Sequence, residues 1–107
     1  MKRHWFYILL SLAASDRHGS DIVRDVLELT DQALRLWPAT LYGSLEELRT
    51  KGWITELDHP RERPEGASER LRFYRITDAG RRALAAETGR LAGVVDRARQ
   101  RLAGEAS

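Results

Sequence analysis

Between residues 5 and 14 apolar side chains take nearly every position: Trp5, Phe6, Ile8, Leu9, Leu10, Leu12 and Ala13. A helix that is apolar all round belongs in the interior of a domain, so a buried first helix is predicted. Ser15-Asp16-Arg17-His18-Gly19 breaks the run as a turn. Ile22, Val23, Val26 and Leu27 then recur at i, i+1, i+4 and i+5, which predicts a second helix. Ser20 or Asp21 can cap it and Thr30-Asp31-Gln32 ends it. Leu34-Arg35-Leu36-Trp37 alternates over four residues, enough for a very short strand. Pro38 suits the first turn of a third helix, where its missing N–H would have no partner anyway. That helix runs to Lys51, with Gly52 in the C-terminal glycine position and Leu41, Leu45 and Leu48 as its buried stripe.

Two strands follow, at residues 53–57 and 71–76. The segment between them, residues 59–69, is rich in proline, glycine and mixed charge and reads as a solvated hairpin loop. Thr77-Asp78 opens a last long helix reaching about residue 104. A helical triplet followed by a two-stranded hairpin is the layout of a winged helix-turn-helix. The expected fold is therefore mainly α with a small β-hairpin: a winged-helix domain over residues 1–76 and a C-terminal dimerisation helix over residues 77–107.

Composition narrows the class. The chain has 107 residues, 42% of them hydrophobic, which is enough for one modest core. It has no cysteine, so disulfide frameworks and thiolate chemistry are excluded, and a reducing cytoplasm is the expected compartment. The basic start Met1-Lys2-Arg3-His4 ahead of an apolar run has the outline of a signal peptide. The run is short, however, ends in a charged turn and has no small-residue cleavage site. It also falls below the roughly 20 apolar residues of a membrane span, so no membrane partner is expected. The net charge is only +2, so what matters is where the charges lie.

With its leucines turned inward, the third helix points Ala39, Gly43 and Thr50 outward, with Thr40, Tyr42 and Ser44 on its flanks. Small or hydroxylated side chains near a helix N-terminus let it enter a DNA major groove, and the free N–H groups there favour phosphate. Pro38, Ala39, Thr40, Tyr42, Gly43 and Ser44 are thus candidate DNA contacts, Tyr42 through its hydroxyl on a phosphate. Glu46 and Glu47 limit insertion to the first half of the helix. Arg61 and Arg63 on the hairpin, with Arg70 at its second strand, suit phosphates or a narrow minor groove. Arg72 and Arg75 follow on the same strand. In the last helix Leu84, Leu91 and Ala98 recur every seven residues, and so do Thr88, Val95 and Leu102 at an offset of four. Such a seam predicts a homodimer, with Trp5 and Phe6 as further interface candidates and two third helices presented to a palindromic site.

Catalytic patterns do not emerge. His4, His18 and His59 are scattered without metal-ligand spacing, and there is no glycine-rich phosphate loop and no G-x-S-x-G. An enzyme is not expected and no metal or cofactor is called for. The blocks His18-Gly19-Ser20-Asp21-Ile22, Ala39-Thr40-Leu41-Tyr42 with Leu45, Leu48 and Gly52-Trp53-Ile54, and Arg72 through Leu84 resemble PadR-type transcriptional regulators over nearly the whole chain. Two positions depart from that pattern: Ser20 stands where an aromatic is usual, and Ala39 where a glycine is. The resemblance implies a homodimeric regulator, usually a repressor, that binds double-stranded operator DNA and is released by a small molecule or a stress signal. With a single C-terminal helix it is similar to the short subgroup. A pocket for a small hydrophobic or aromatic effector would then lie at the dimer interface, with Trp5, Leu9, Val94 and Val95 as lining or as packed core. Two other readings stay open on the residues: a winged-helix protein–protein interaction module without DNA binding, and a ligand-binding scaffold dimer.

Overall fold

A computed structural model describes residues 1–57 and 71–105. Four helices and three short strands follow in the order α1 (Arg3–Ala14), β1 (Arg17–His18), α2 (Gly19–Leu29), α3 (Pro38–Thr50), β2 (Ile54–Glu56), β3 (Phe73–Ile76) and α4 (Asp78–Glu105). The apolar faces read from the sequence converge on one core. Ile8, Leu9 and Leu12 of α1, Ile22 and Val26 of α2, and Leu41, Leu45 and Leu48 of α3 are buried together with Ile54, Tyr74, Ile76 and Leu84. Each fully buried aliphatic side chain contributes about 1.5–3 kcal/mol relative to exposure, so these faces suffice to fix how the helices stack. Burial pushes the Tyr74 phenol above its usual pKa, and the nearby Glu56 carboxylate adds to the shift.

The sheet differs from the expected hairpin by one strand. Arg17 and His18, read as part of a turn, pair antiparallel with Tyr74 and Phe73, so the order is β1-β3-β2. Two residues carry no alternation to read, and the pairing is set by partners far along the chain. His18 packs edge-on against Phe73, and Arg75 grips Asp16 through two hydrogen bonds of 3.1 and 2.8 Å. The second helix also starts earlier than predicted, at Gly19, and neither Ser20 nor Asp21 caps it.

Leu34 to Trp37 forms no strand. Its alternation is real at the level of burial, with Leu34 and Leu36 buried and Arg35 and Trp37 exposed. The segment crosses the core edge as extended chain without a ladder partner among the described strands. It is preceded by Asp31 and Gln32, both in left-handed backbone (φ 50° and 69°), which turn the chain out of α2.

The long helix α4 begins with a side-chain cap: the Thr77 hydroxyl accepts from the Gly80 N–H at 3.1 Å and donates to the Gly52 carbonyl at 2.6 Å. Its early turns lie along α1 in the opposite direction, with Arg81 reaching the Ala13 carbonyl and Leu91 meeting Phe6 and Tyr7 near the other end of α1. Past that point α4 leaves the domain. The molecule accordingly measures 59 × 27 × 24 Å, its long axis drawn out by a 28-residue helix. No helix among the described residues is long and apolar enough to cross a membrane.

Candidate nucleic-acid interface

Helix α3 divides cleanly into two sides. Leu41, Ser44, Leu45 and Leu48 are buried, whereas Pro38, Ala39, Thr40, Tyr42 and Gly43 are exposed. The outward group lies within the first two turns of a 13-residue helix whose N-terminus is formed by Trp37 and Pro38. Ser44 is a correction. The helical wheel places it on the outward flank with Thr40, yet it is only 7% exposed. Four residues on from Thr40, it lies nearer the Leu41 and Leu48 side than the wheel position of Thr40 does, and it is buried with them. It is unavailable to a ligand.

The acids of α3 are paired. Glu46 forms a fork with Arg49, whose hydrogen bonds hold its carboxyl below the usual range, and Glu47 takes the Lys2 ammonium at 2.6 Å. Both lie past the outward group, so the first half of α3 carries no acidic side chain. An anion approaching that half meets small side chains and the positive end of the helix dipole.

Tyr42 links α3 to its neighbours. It is 54% exposed and its hydroxyl reaches over Gly19 at the start of α2; a Cβ at Gly19 would lie 3.0 Å from that oxygen. His18, Gly19, Ser20, Tyr42, Leu71 and Arg72 line an open cleft of about 260 Å³ there. Arg72 is well exposed and 3.6 Å from Glu56. The cleft thus gathers two hydroxyls, a guanidinium and a helix N-terminus beside the outward face of α3. From the sequence Ser20 reads only as a helix cap and Arg72 only as one of several arginines on the second strand of the hairpin. Their convergence depends on β1 pairing with β3, which the sequence did not signal. Arg75, considered with Arg72, is committed to Asp16. Arg61, Arg63 and Arg70 lie outside the described residues.

The predicted dimer residues separate. Leu84 is buried in the domain's own core and Trp5 is too, packed edge-on against Trp53 under the Lys2 and Lys51 ammonium groups. The heptad position of Leu84 is therefore used to seat α4 on its own domain, not to offer it to another chain. Phe6 and Leu91 are half-buried along one cleft, while Thr88, Val94, Val95, Ala98 and Leu102 are exposed. The expected effector pocket changes likewise. Trp5 and Leu9 are core residues with almost no free surface, so they cannot line a pocket together with Val94 and Val95 on the projecting helix. The space between α1 and α4 is instead a cleft of about 210 Å³ edged by Arg3, Phe6, Tyr7, Glu87, Arg90 and Leu91. There the Arg90 guanidinium, 2.7 and 2.9 Å from the Glu87 oxygens, holds that carboxyl at about 2. No group of side chains suited to a metal ion occurs among the described residues.

Residues 8–86 match the model of the transcriptional regulator PadR-like family. The chain belongs to the PadR-like family. PadR-like proteins are transcriptional regulators, so this chain is a regulator and not an enzyme. The fold agrees with solved structures. A transcriptional regulator from Clostridium thermocellum superposes with a TM-score of 0.73 at 22% identity, over 90% of this chain and 86% of the other. A PadR family regulator from Clostridium difficile gives 0.73 at 20% identity, over 92% and 96%. Bacillus subtilis PadR, solved in complex with operator DNA, gives 0.67 at 23% identity; 81% of this chain covers 47% of that one. No curated protein matches the sequence. The PadR-like winged helix thus accounts for α1 to β3, and the matched region ends at residue 86, inside α4.

Proposed function

We propose that the chain is a DNA-binding regulator that acts as a homodimer on a palindromic operator, most simply as a repressor. The observation that carries this is the exposed, acid-free first half of α3, standing beside the cleft of Tyr42, Ser20 and Arg72. Pro38, Ala39, Thr40 and Gly43 enter the major groove, where small side chains let the helix approach the base edges. Tyr42, with Ser20 and Arg72, holds a backbone phosphate beside that groove, a contact that fixes register. Arg61, Arg63 and Arg70 take the neighbouring phosphates or minor groove. The projecting part of α4 pairs with its copy through Leu91, Val95, Ala98 and Leu102, and this spaces the two α3 helices for half-sites about one helical turn apart. The cleft between α1 and α4, edged by Phe6, Tyr7 and Leu91, is the place for a small hydrophobic or aromatic effector.

Selection of bound sequences from random duplex DNA tests the reading directly. It should return an inverted repeat whose affinity falls with salt, with a log–log slope of about −0.9 per neutralised phosphate. Tyr42→Phe should weaken binding by roughly tenfold, about one charge-assisted hydrogen bond, without lowering the melting temperature. A chain that shows no salt-dependent affinity for any duplex overturns the proposal.

A further inference from the structure

Arg35 and Trp37 have no part in the core or in the contacts assigned so far. They point out of the same side of the extended segment that leads into α3, because Leu34 and Leu36 take the inward positions. Trp37 is 65% exposed, an unusual position for the largest apolar side chain. Its backbone carbonyl accepts the Leu41 N–H at 2.9 Å, a task any residue could perform, and its side chain does not cap the helix. The Arg35 guanidinium lies 5.3 Å from the centre of the indole ring. Arg35 is exposed and makes no ion pair among the described residues.

The position of this pair is specific. Trp37 immediately precedes Pro38, Ala39 and Thr40, the residues that lead α3 into the groove. A major groove is about 12 Å wide and a helix with its side chains about 10–12 Å across, so groups at the mouth of an inserted helix lie against the sugar–phosphate walls. An indole offers such a wall an apolar face for deoxyribose and one N–H for a phosphate oxygen. A guanidinium stacked on that indole is held ready for the adjoining phosphate. An exposed cation stacked beside an exposed aromatic complements a polyanion with an apolar sugar edge.

We propose that Arg35 and Trp37 form a second grip on the DNA backbone at the mouth of α3, Trp37 lying on a deoxyribose and Arg35 pairing with the neighbouring phosphate. This rests on the DNA-binding reading above. The grip is blind to base sequence, so it adds affinity on every duplex and leaves the choice of operator to α3.

The test uses the full chain with the duplex recovered by selection and an unrelated duplex of equal length. Trp37→Ala should weaken both by a similar factor of roughly tenfold, as removal of an aromatic from a nucleic-acid surface does, with an unchanged melting temperature. Arg35→Gln should reduce the salt slope by about one. Fluorescence gives a second readout. The acrylamide-accessible emission that is present in the wild type and lost in Trp37→Phe should become protected when duplex is added. Binding by Trp37→Ala within about twofold of wild type on both duplexes, while Tyr42→Phe still weakens it, overturns this inference alone. A Trp37→Ala chain altered only in self-association also overturns it, since a second copy is then the occupant. A wild-type chain that binds no duplex removes this inference together with the reading beneath it.

Discussion

A methyl group added at Gly80 would lie 2.1 Å from the Trp53 carbonyl oxygen and 2.8 Å from Ile76 Cγ1. The oxygen belongs to backbone that also accepts the Thr77 N–H at 3.0 Å, so it cannot step aside, and α4 must lift instead. Gly80→Ala should therefore destabilise the fold by about 1–3 kcal/mol or more, read as a lower urea midpoint. At Glu87 the sign runs through protonation. The carboxyl is held at about 2 by Arg90 against an ordinary value of 4.5, so its contribution is complete above about 4.5 and fades as pH falls towards 2. Glu87→Gln should lower thermal stability at neutral pH, where the pair with Arg90 is intact, and flatten the further loss across that window. At this scale the sequence was a partial guide. Tyr42 and Gly43 lie where a helical wheel puts them, but Ser44 does not, because a flank position is decided by what packs beside it.

Among the elements, α4 was the easiest to predict and the most incompletely understood. Its start at Thr77-Asp78 and its length follow from capping and periodicity, and the structure agrees. The seven-residue repeat, however, reads as one continuous seam, whereas the structure uses it twice. Leu84 packs inward on the home domain, and Val95, Ala98 and Leu102 stay exposed beyond it. Periodicity reports that a face is apolar; it does not say which body covers each turn. The same limit hid β1, whose two residues gain their structure only from Tyr74 and Phe73, and turned the alternating burial of Leu34 to Trp37 into an apparent strand. The buried faces of α1, α2 and α3 were legible because each is long enough to show its period. For the open half of α4 the expected outcome is simple. Val95→Glu combined with Leu102→Glu should give a monomer by sedimentation, with the domain still folded, since neither side chain belongs to the core.

For the molecule as a whole, that monomer should keep its grip on one half-site and lose the advantage of a paired one. Affinity for the full inverted repeat would then drop by a factor of about 10² or more, and affinity for an isolated half-site would hold. From Leu91 to its end α4 extends for roughly 21 Å at 1.5 Å per residue. In the proposed dimer that overhang behaves as a lever whose fulcrum is the shoulder where Gly80 presses on Trp53. Measured from that fulcrum the arm is roughly 37 Å, so a tilt of about 10° would swing the tip by roughly 6.5 Å, nearly twice the roughly 3.4 Å step between stacked base pairs. The gauge between the two reading heads would thus be cut at a glycine that touches no nucleotide, and small changes of angle there would shift which operator length the protein prefers.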